Sequence, residues 1–117
     1  MISLDGLSQY YFDYFSIKDI ENLSNLFSDD IELEDWNVKV KGKDAVIKAY
    51  QDIFNNVSAI QAYRVKFHEC GSTMCCEIII KIYGDHKYNS LLEEIQVMDV
   101  ITFNNLMKIE KIKAYKI

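Results

Sequence analysis

Four side chains able to hold or move a proton fall on faces that are otherwise apolar: Tyr11, Asp35, Tyr50 and Asp99. Asp99 is the plainest case. In the run Leu91 to Phe103, LLEEIQVMDVITF, the side chains of an extended strand alternate between faces, so Leu91, Ile95, Val97, Asp99, Ile101 and Phe103 share one side. A one-residue slip carries that whole row to the other face together, so no choice of register removes the carboxyl from it. An unpartnered carboxylate is costly in such a place and either finds donors or takes up a proton. Once protonated, it is a hydrogen-bond donor in an apolar pocket. Ile31, Leu33 and Asp35 likewise share one face of a short strand, with Glu32 and Glu34 on the other. Tyr11 belongs to a helical stripe with Leu4, Leu7 and Phe15 or Tyr14, and Tyr50 to one with Val46, Ile47, Ile53, Phe54 and Val57.

The elements that must position these groups divide into a helical first half and a strand-rich second half, the α+β pattern. The spacing predicts a helix over Leu4 to Phe15. A second helix, capped by Ser16 or Asp19, carries Ile20, Leu23, Leu26 and Phe27 and ends at the turn Ser28-Asp29-Asp30. A strand follows from Ile31 to Asp35, then Trp36, a polar hairpin from Asn37 to Lys41, and a third helix after Gly42. The remainder reads as a four-stranded antiparallel meander over about 60–69, 74–83, 90–103 and 106–116, turning at Gly71-Ser72, Gly84 to Asn89 and Asn104-Asn105. Tyr63, Val65 and Phe67 form the expected inward row of its first strand. Alternation loses step between Ile109 and Ile112, which implies a bulge or an edge that twists away. Three helices packed into a strongly curved, mainly antiparallel sheet make a cone with an internal cavity. Tyr50, Trp36, Phe54, Tyr63 and Phe67 are its expected ligand contacts.

The chain is read as a single domain over residues 1–117, large enough to bury roughly two thirds of its unfolded surface. Half its residues are hydrophobic and it carries eight Tyr, ample for a core and a pocket lining. A formal charge of -5, with no Lys or Arg run, argues against nucleic acid and other anionic partners. No apolar run approaches the ~20 residues of a membrane span, and the N-terminus lacks the basic and apolar segments of a secretory signal, so a cytoplasmic location is expected. Cys70, Cys75 and Cys76 are odd in number, with two adjacent, which fits neither a disulfide framework nor a paired CxxC metal site. Cys76 shares the face of Met74, Ile78, Ile80 and Ile82, while Cys75 points outward toward His68 and Cys70. No metal site is assigned there. His86 lies in the polar run GDHKYN, where an exposed loop position is the simpler reading.

Tyr11, the run LFSDD before Leu33-Glu34-Asp35, GKDAVIKAY from Gly42 to Tyr50, and MDVITFNN from Met98 to Asn105 together resemble the nuclear transport factor 2-like superfamily. Within it the chain is most similar to ketosteroid isomerase and polyketide-cyclase-like proteins, over roughly residues 5–117. The resemblance implies that Asp35 stands where that family has its general base, Tyr11 and Asp99 where it has its two oxyanion donors, and Tyr50 where a tyrosine supports the first donor. Trp36 stands where the isomerases tend to have proline, and the loop from Asp35 to Gly42 is two residues shorter.

Moving a double bond beside a ketone requires a base that removes a proton alpha to the carbonyl, with donors on the oxygen as it gains charge. A carboxylate able to swing at a strand end suits the first task. A tyrosine hydroxyl and a neutral carboxylic acid in a dry pocket suit the second, with no metal or organic cofactor. A small hydrophobic carbonyl compound is the expected ligand. Each residue also has a plainer reading: Tyr11 and Tyr50 as core aromatics, Asp35 as a cap for loop amides. Two readings therefore stand, an isomerase, cyclase or lyase with Asp35, Tyr11 and Asp99 as catalytic groups, and a non-catalytic ligand-binding or dimerising module. Either allows a homodimer through the outer sheet face around Val100, Met98, Leu92, Cys75 and His68.

Overall fold

The computed structural model describes residues 2–84 and 90–117. Most of the turn expected between Gly84 and Asn89, with His86, lies outside the described residues. Helix α1 spans Leu4–Ser16, α2 Ile20–Leu26 and α3 Lys43–Asn55. The strands are β1 Phe27–Glu34, β2 Lys39–Lys41, β3 Ala59–Cys70, β4 Thr73–Gly84, β5 Ser90–Phe103 and β6 Ile109–Lys116. They form one sheet in the order β2-β1-β6-β5-β4-β3. From β3 to β6 the sheet is the expected antiparallel meander, and β1 joins it parallel to β6. The architecture is the α+β one expected: three helices on a curved, unclosed six-stranded sheet.

Ser3 opens α1, its hydroxyl accepting from the Gly6 amide at 3.0 Å. Leu7, Tyr11, Phe12 and Phe15 are buried along the helix, while Tyr14 stays half-buried and stacks on Tyr10. Lys18 ends α1 in the left-handed region at φ 58°. Its ammonium donates to the carbonyls of Val57 at 2.8 Å, Phe54 at 3.0 Å and Ser58 at 3.3 Å, which pins the end of α1 to the C-terminus of α3. A cation there satisfies carbonyls the helix leaves open and matches the negative end of its dipole. Asp19, rather than Ser16, caps α2 by accepting from the Asn22 amide. The Ser16 hydroxyl instead accepts from the Ala62 amide on β3.

Helix α2 does not run into a Ser28-Asp29-Asp30 turn. The chain passes directly into β1 at Phe27, and those three residues are strand. Phe27, counted in the helical stripe, is 1% exposed in the core, so extending the backbone buries it just as well. A register irregularity between Phe27 and Glu32 absorbs the mismatch with β6. Gly42 precedes α3 at φ 95°, a conformation that side chains rarely adopt.

Three more irregularities curve the sheet and decide which residues face inward. The one in β6 opposite Thr102 and Phe103 is the bulge implied by the lost alternation, although β6 lies inside the sheet and not at an edge. Another falls between Arg64 and Lys66 and overturns the row Tyr63-Val65-Phe67. Before it, Ile60, Ala62 and Arg64 pair with the inward Ile82, Ile80 and Ile78. Tyr63 pairs with Ile79 and faces out. Beyond it, Phe67 pairs with inward Cys76, yet it remains 42% exposed, with the Arg64 guanidinium 3.9 Å above its ring. The last irregularity lies where Tyr83 pairs with Leu91, so Leu91 leaves the inward row of β5 and is 54% exposed.

Candidate functional site

The helices and the concave sheet face enclose a cavity of about 370 Å³, mostly walled by apolar side chains. Its lining includes Tyr11, Asp35, Trp36, Tyr50 and Asp99. Five residues from four separated stretches thus converge, Tyr11, Tyr50 and Asp99 delivered by the periodicity of their elements and Asp35 and Trp36 by the turn that follows β1. Tyr11 comes from the buried stripe of α1, and Tyr50 lies between Val46 and Phe54 on that of α3. Asp99 sits between Val97 and Ile101 on β5, and Asp35 and Trp36 follow the last residue of β1. Of the other expected ligand contacts, Phe54 is buried but packs against Phe15 and Tyr50 away from the cavity. Tyr63 lies off it because the β3 register turns it outward, and Phe67 does not line it although its strand partner Cys76 faces inward.

Asp99 is 5% exposed, and no described residue donates a hydrogen bond to its carboxyl, which opens on the cavity. Its neighbours on the adjacent strands are Cys76 and Ala114, both small, which leaves space around it. Burial, reinforced by the charge of Asp35, raises its pKa from 3.8 to about 7. Neutral and ionised forms therefore coexist near neutral pH. The Cys76 thiol is pushed up to about 11, chiefly by burial, so it stays protonated as a core residue. Cys75 pairs with His68 across the outer face, and among the described residues no group of His, Cys, Asp and Glu is arranged to hold a metal ion.

The Tyr11 and Tyr50 hydroxyls are 2.5 Å apart in the core. Burial holds both well above the usual phenol range; for Tyr11 the pair partner and Asp99 push in the same direction, while for Tyr50 the shared hydrogen bond works against it. Two neutral hydroxyls that share one hydrogen bond leave the second proton for another acceptor. Contacts with Phe15 and Phe27, tilted for Tyr11 and edge-on and stacked for Tyr50, hold both rings in place.

Asp35 is anchored rather than free to swing. Its Oδ1 accepts from the amides of Asn37 and Val38, each at 2.7 Å, and its own amide donates to the Val38 carbonyl at 2.8 Å. The capping reading and the cavity reading hold together, because one carboxyl oxygen closes the turn while the residue still lines the cavity.

Glu93, Lys116 and Ala114 also line the cavity and were not singled out from the sequence. Trp36, Glu93 and Lys116 are substantially exposed and form its mouth. The Lys116 ammonium lies 5.5 Å from the Trp36 ring centroid and 4.0 Å from Glu93. The signal was present as alternation: Glu93 is three steps along the row of Asp99, and Lys116 follows Ile112 and Ala114.

Residues 8–111 match the family model of the SnoaL-like domain. Among solved structures, an NTF2-like protein of unknown function from Exiguobacterium sp. 255-15 superposes with TM-score 0.81 at 21% identity, over 95% of this chain and 98% of that one. A candidate SnoaL-like polyketide cyclase from Shewanella putrefaciens CN-32 gives 0.84 at 14%, over 99% and 80%. A candidate ketosteroid isomerase from Kribbella flavida DSM 17836 gives 0.79 at 13%, over 97% and 77%. At such identities the likeness is one of fold. A search of curated proteins returns no match.

Proposed function

The chain belongs to the SnoaL-like domain family, and from that premise we propose that it acts without a cofactor on a small hydrophobic carbonyl compound, removing a proton alpha to the carbonyl. In this reading Asp35 is the base, and Tyr11 and neutral Asp99 donate to the oxygen as it becomes an enolate. The observation that carries it is the meeting, in one apolar cavity, of a buried carboxyl with its pKa at about 7 and a tyrosine hydroxyl pair. Donors already in place in a low-dielectric site favour developing charge without reorganising. Lys116 and Trp36 then form the entrance rather than the reacting centre.

The test is binding of equilenin, a planar phenol that mimics a dienolate, followed by ultraviolet absorbance and fluorescence. Tight binding with ionisation of the bound phenol, weakened strongly in Asp99→Ala, is expected. A folded wild type that does not bind it refutes the reading.

A second reading, a non-catalytic module that pairs with another copy through the outer sheet face, is favoured by the exposure of Tyr63, Leu91 and Tyr115. Concentration-dependent sedimentation tests it. Dimers that Tyr63→Glu dissociates are the expected result, and a concentration-independent monomer overturns it.

A further inference from the structure

We infer that the base of this site works at one carbon only, so that the protein enolises a ketone and returns a proton to the same position instead of carrying it to the far end of an alkene. The inference rests on the reading of Asp35 as the base and specifies which reaction that base can perform. To move a double bond into conjugation, a single carboxylate must take a proton from the alpha carbon, travel, and deliver it to the gamma carbon. Asp35 is not built to travel. Its Oδ1 is held by two amides of its own loop, and the same loop is closed by the bond from the Asp35 amide to the Val38 carbonyl. Asn37 and Val38 line the cavity too, so anchor and base share one corner of its wall. Only Oδ2 receives no hydrogen bond from a described residue and is available to a substrate.

The step balances without a co-reactant. Oδ2 takes the alpha proton, and the C–H electron pair becomes the carbon–carbon double bond of the enolate. The carbonyl π pair moves to the oxygen, where Tyr11 and Asp99 donate. The reverse step returns a proton to the same carbon after Asp35 has exchanged its own with water.

One substrate reads both possibilities. In deuterium oxide, 3-cyclohexen-1-one followed by proton NMR shows deuterium entering the alpha carbon, or the conjugated ketone forming. The expected result is alpha exchange exceeding conjugation by about tenfold or more over buffer controls. Asp35→Asn, whose side-chain oxygen still closes the turn, should lose about a hundredfold of that exchange while staying folded. Asp35→Glu, a methylene too long for the same turn, should form conjugated ketone at the expense of exchange. Conjugation by wild type at a rate equal to or above exchange overturns the fixed-base inference and leaves the proposed function standing. No reaction of either kind above buffer overturns the proposed function, and this inference with it.

Discussion

The hydroxyls of Tyr11 on α1 and Tyr50 on α3, 39 residues apart in the chain, lie 2.5 Å from each other at the wall of the cavity. Neither ring is close to the other in sequence, and the pair exists only because both helices bury a stripe against the same sheet. Since both phenols stay neutral, Tyr50 can accept from or donate to Tyr11 and so orient its proton. Tyr50→Phe keeps the ring packing and removes that orientation. Phenol binding should weaken about fivefold to tenfold, in line with one net hydrogen bond of about 1 kcal/mol. Tyr11→Phe, which removes the donor itself, should weaken it more. Fluorescence titration with equilenin ranks the two.

Asp99 should make the protein less stable as pH rises. Its pKa is higher in the fold, about 7, than the 3.8 of a free carboxyl. Between those values the native state binds more protons than the unfolded chain, so stability falls with increasing pH across that window and the loss is complete above about 7. The full difference is on the order of 4 kcal/mol. Asp99→Asn removes it. Urea denaturation at pH 5 and pH 8 should therefore show the variant gaining on wild type at the higher pH, and equal gaps at both would contradict the shift.

Lys18 should matter for stability and not for the site. Lys18→Met removes an ammonium shared by the carbonyl of Phe54 in the last turn of α3 and those of Val57 and Ser58 just beyond it. A loss of about 1–3 kcal/mol is expected from unsatisfied acceptors and the unmatched helix end. Thermal denaturation should register it, with equilenin affinity of the folded protein unchanged.

Ala114 should set how large a ligand reaches Asp99. It faces the carboxyl across β5 and β6 and lines the cavity. The volume of about 370 Å³ is near the small end of ligand pockets, so added bulk is felt. Ala114→Leu should leave binding of phenol itself within about threefold and weaken that of four-ring equilenin by about tenfold or more. A parallel loss for both would point to a general collapse of the cavity. Competition titrations separate these outcomes.

The facing of Tyr11, Tyr50 and Asp99 was determined by the sequence alone, because helix and strand periods are local properties of the backbone and any fold that buries the apolar row must bury its polar member. The bulge near Glu110 was also legible, since an extra residue breaks alternation in a visible way. Only the tertiary structure decided the rest. Whether Tyr63 points in or out depends on a bulge between Arg64 and Lys66 that no pattern marks, and the same holds for Leu91. Such extra residues are placed by the curvature the sheet needs to wrap the helices, a property of all its strands together. Likewise the two amides that hold one oxygen of Asp35 take their positions from how β1 turns into β2. Local periodicity assigns a side chain to a face, and strand register and loop closure determine what that side chain can reach.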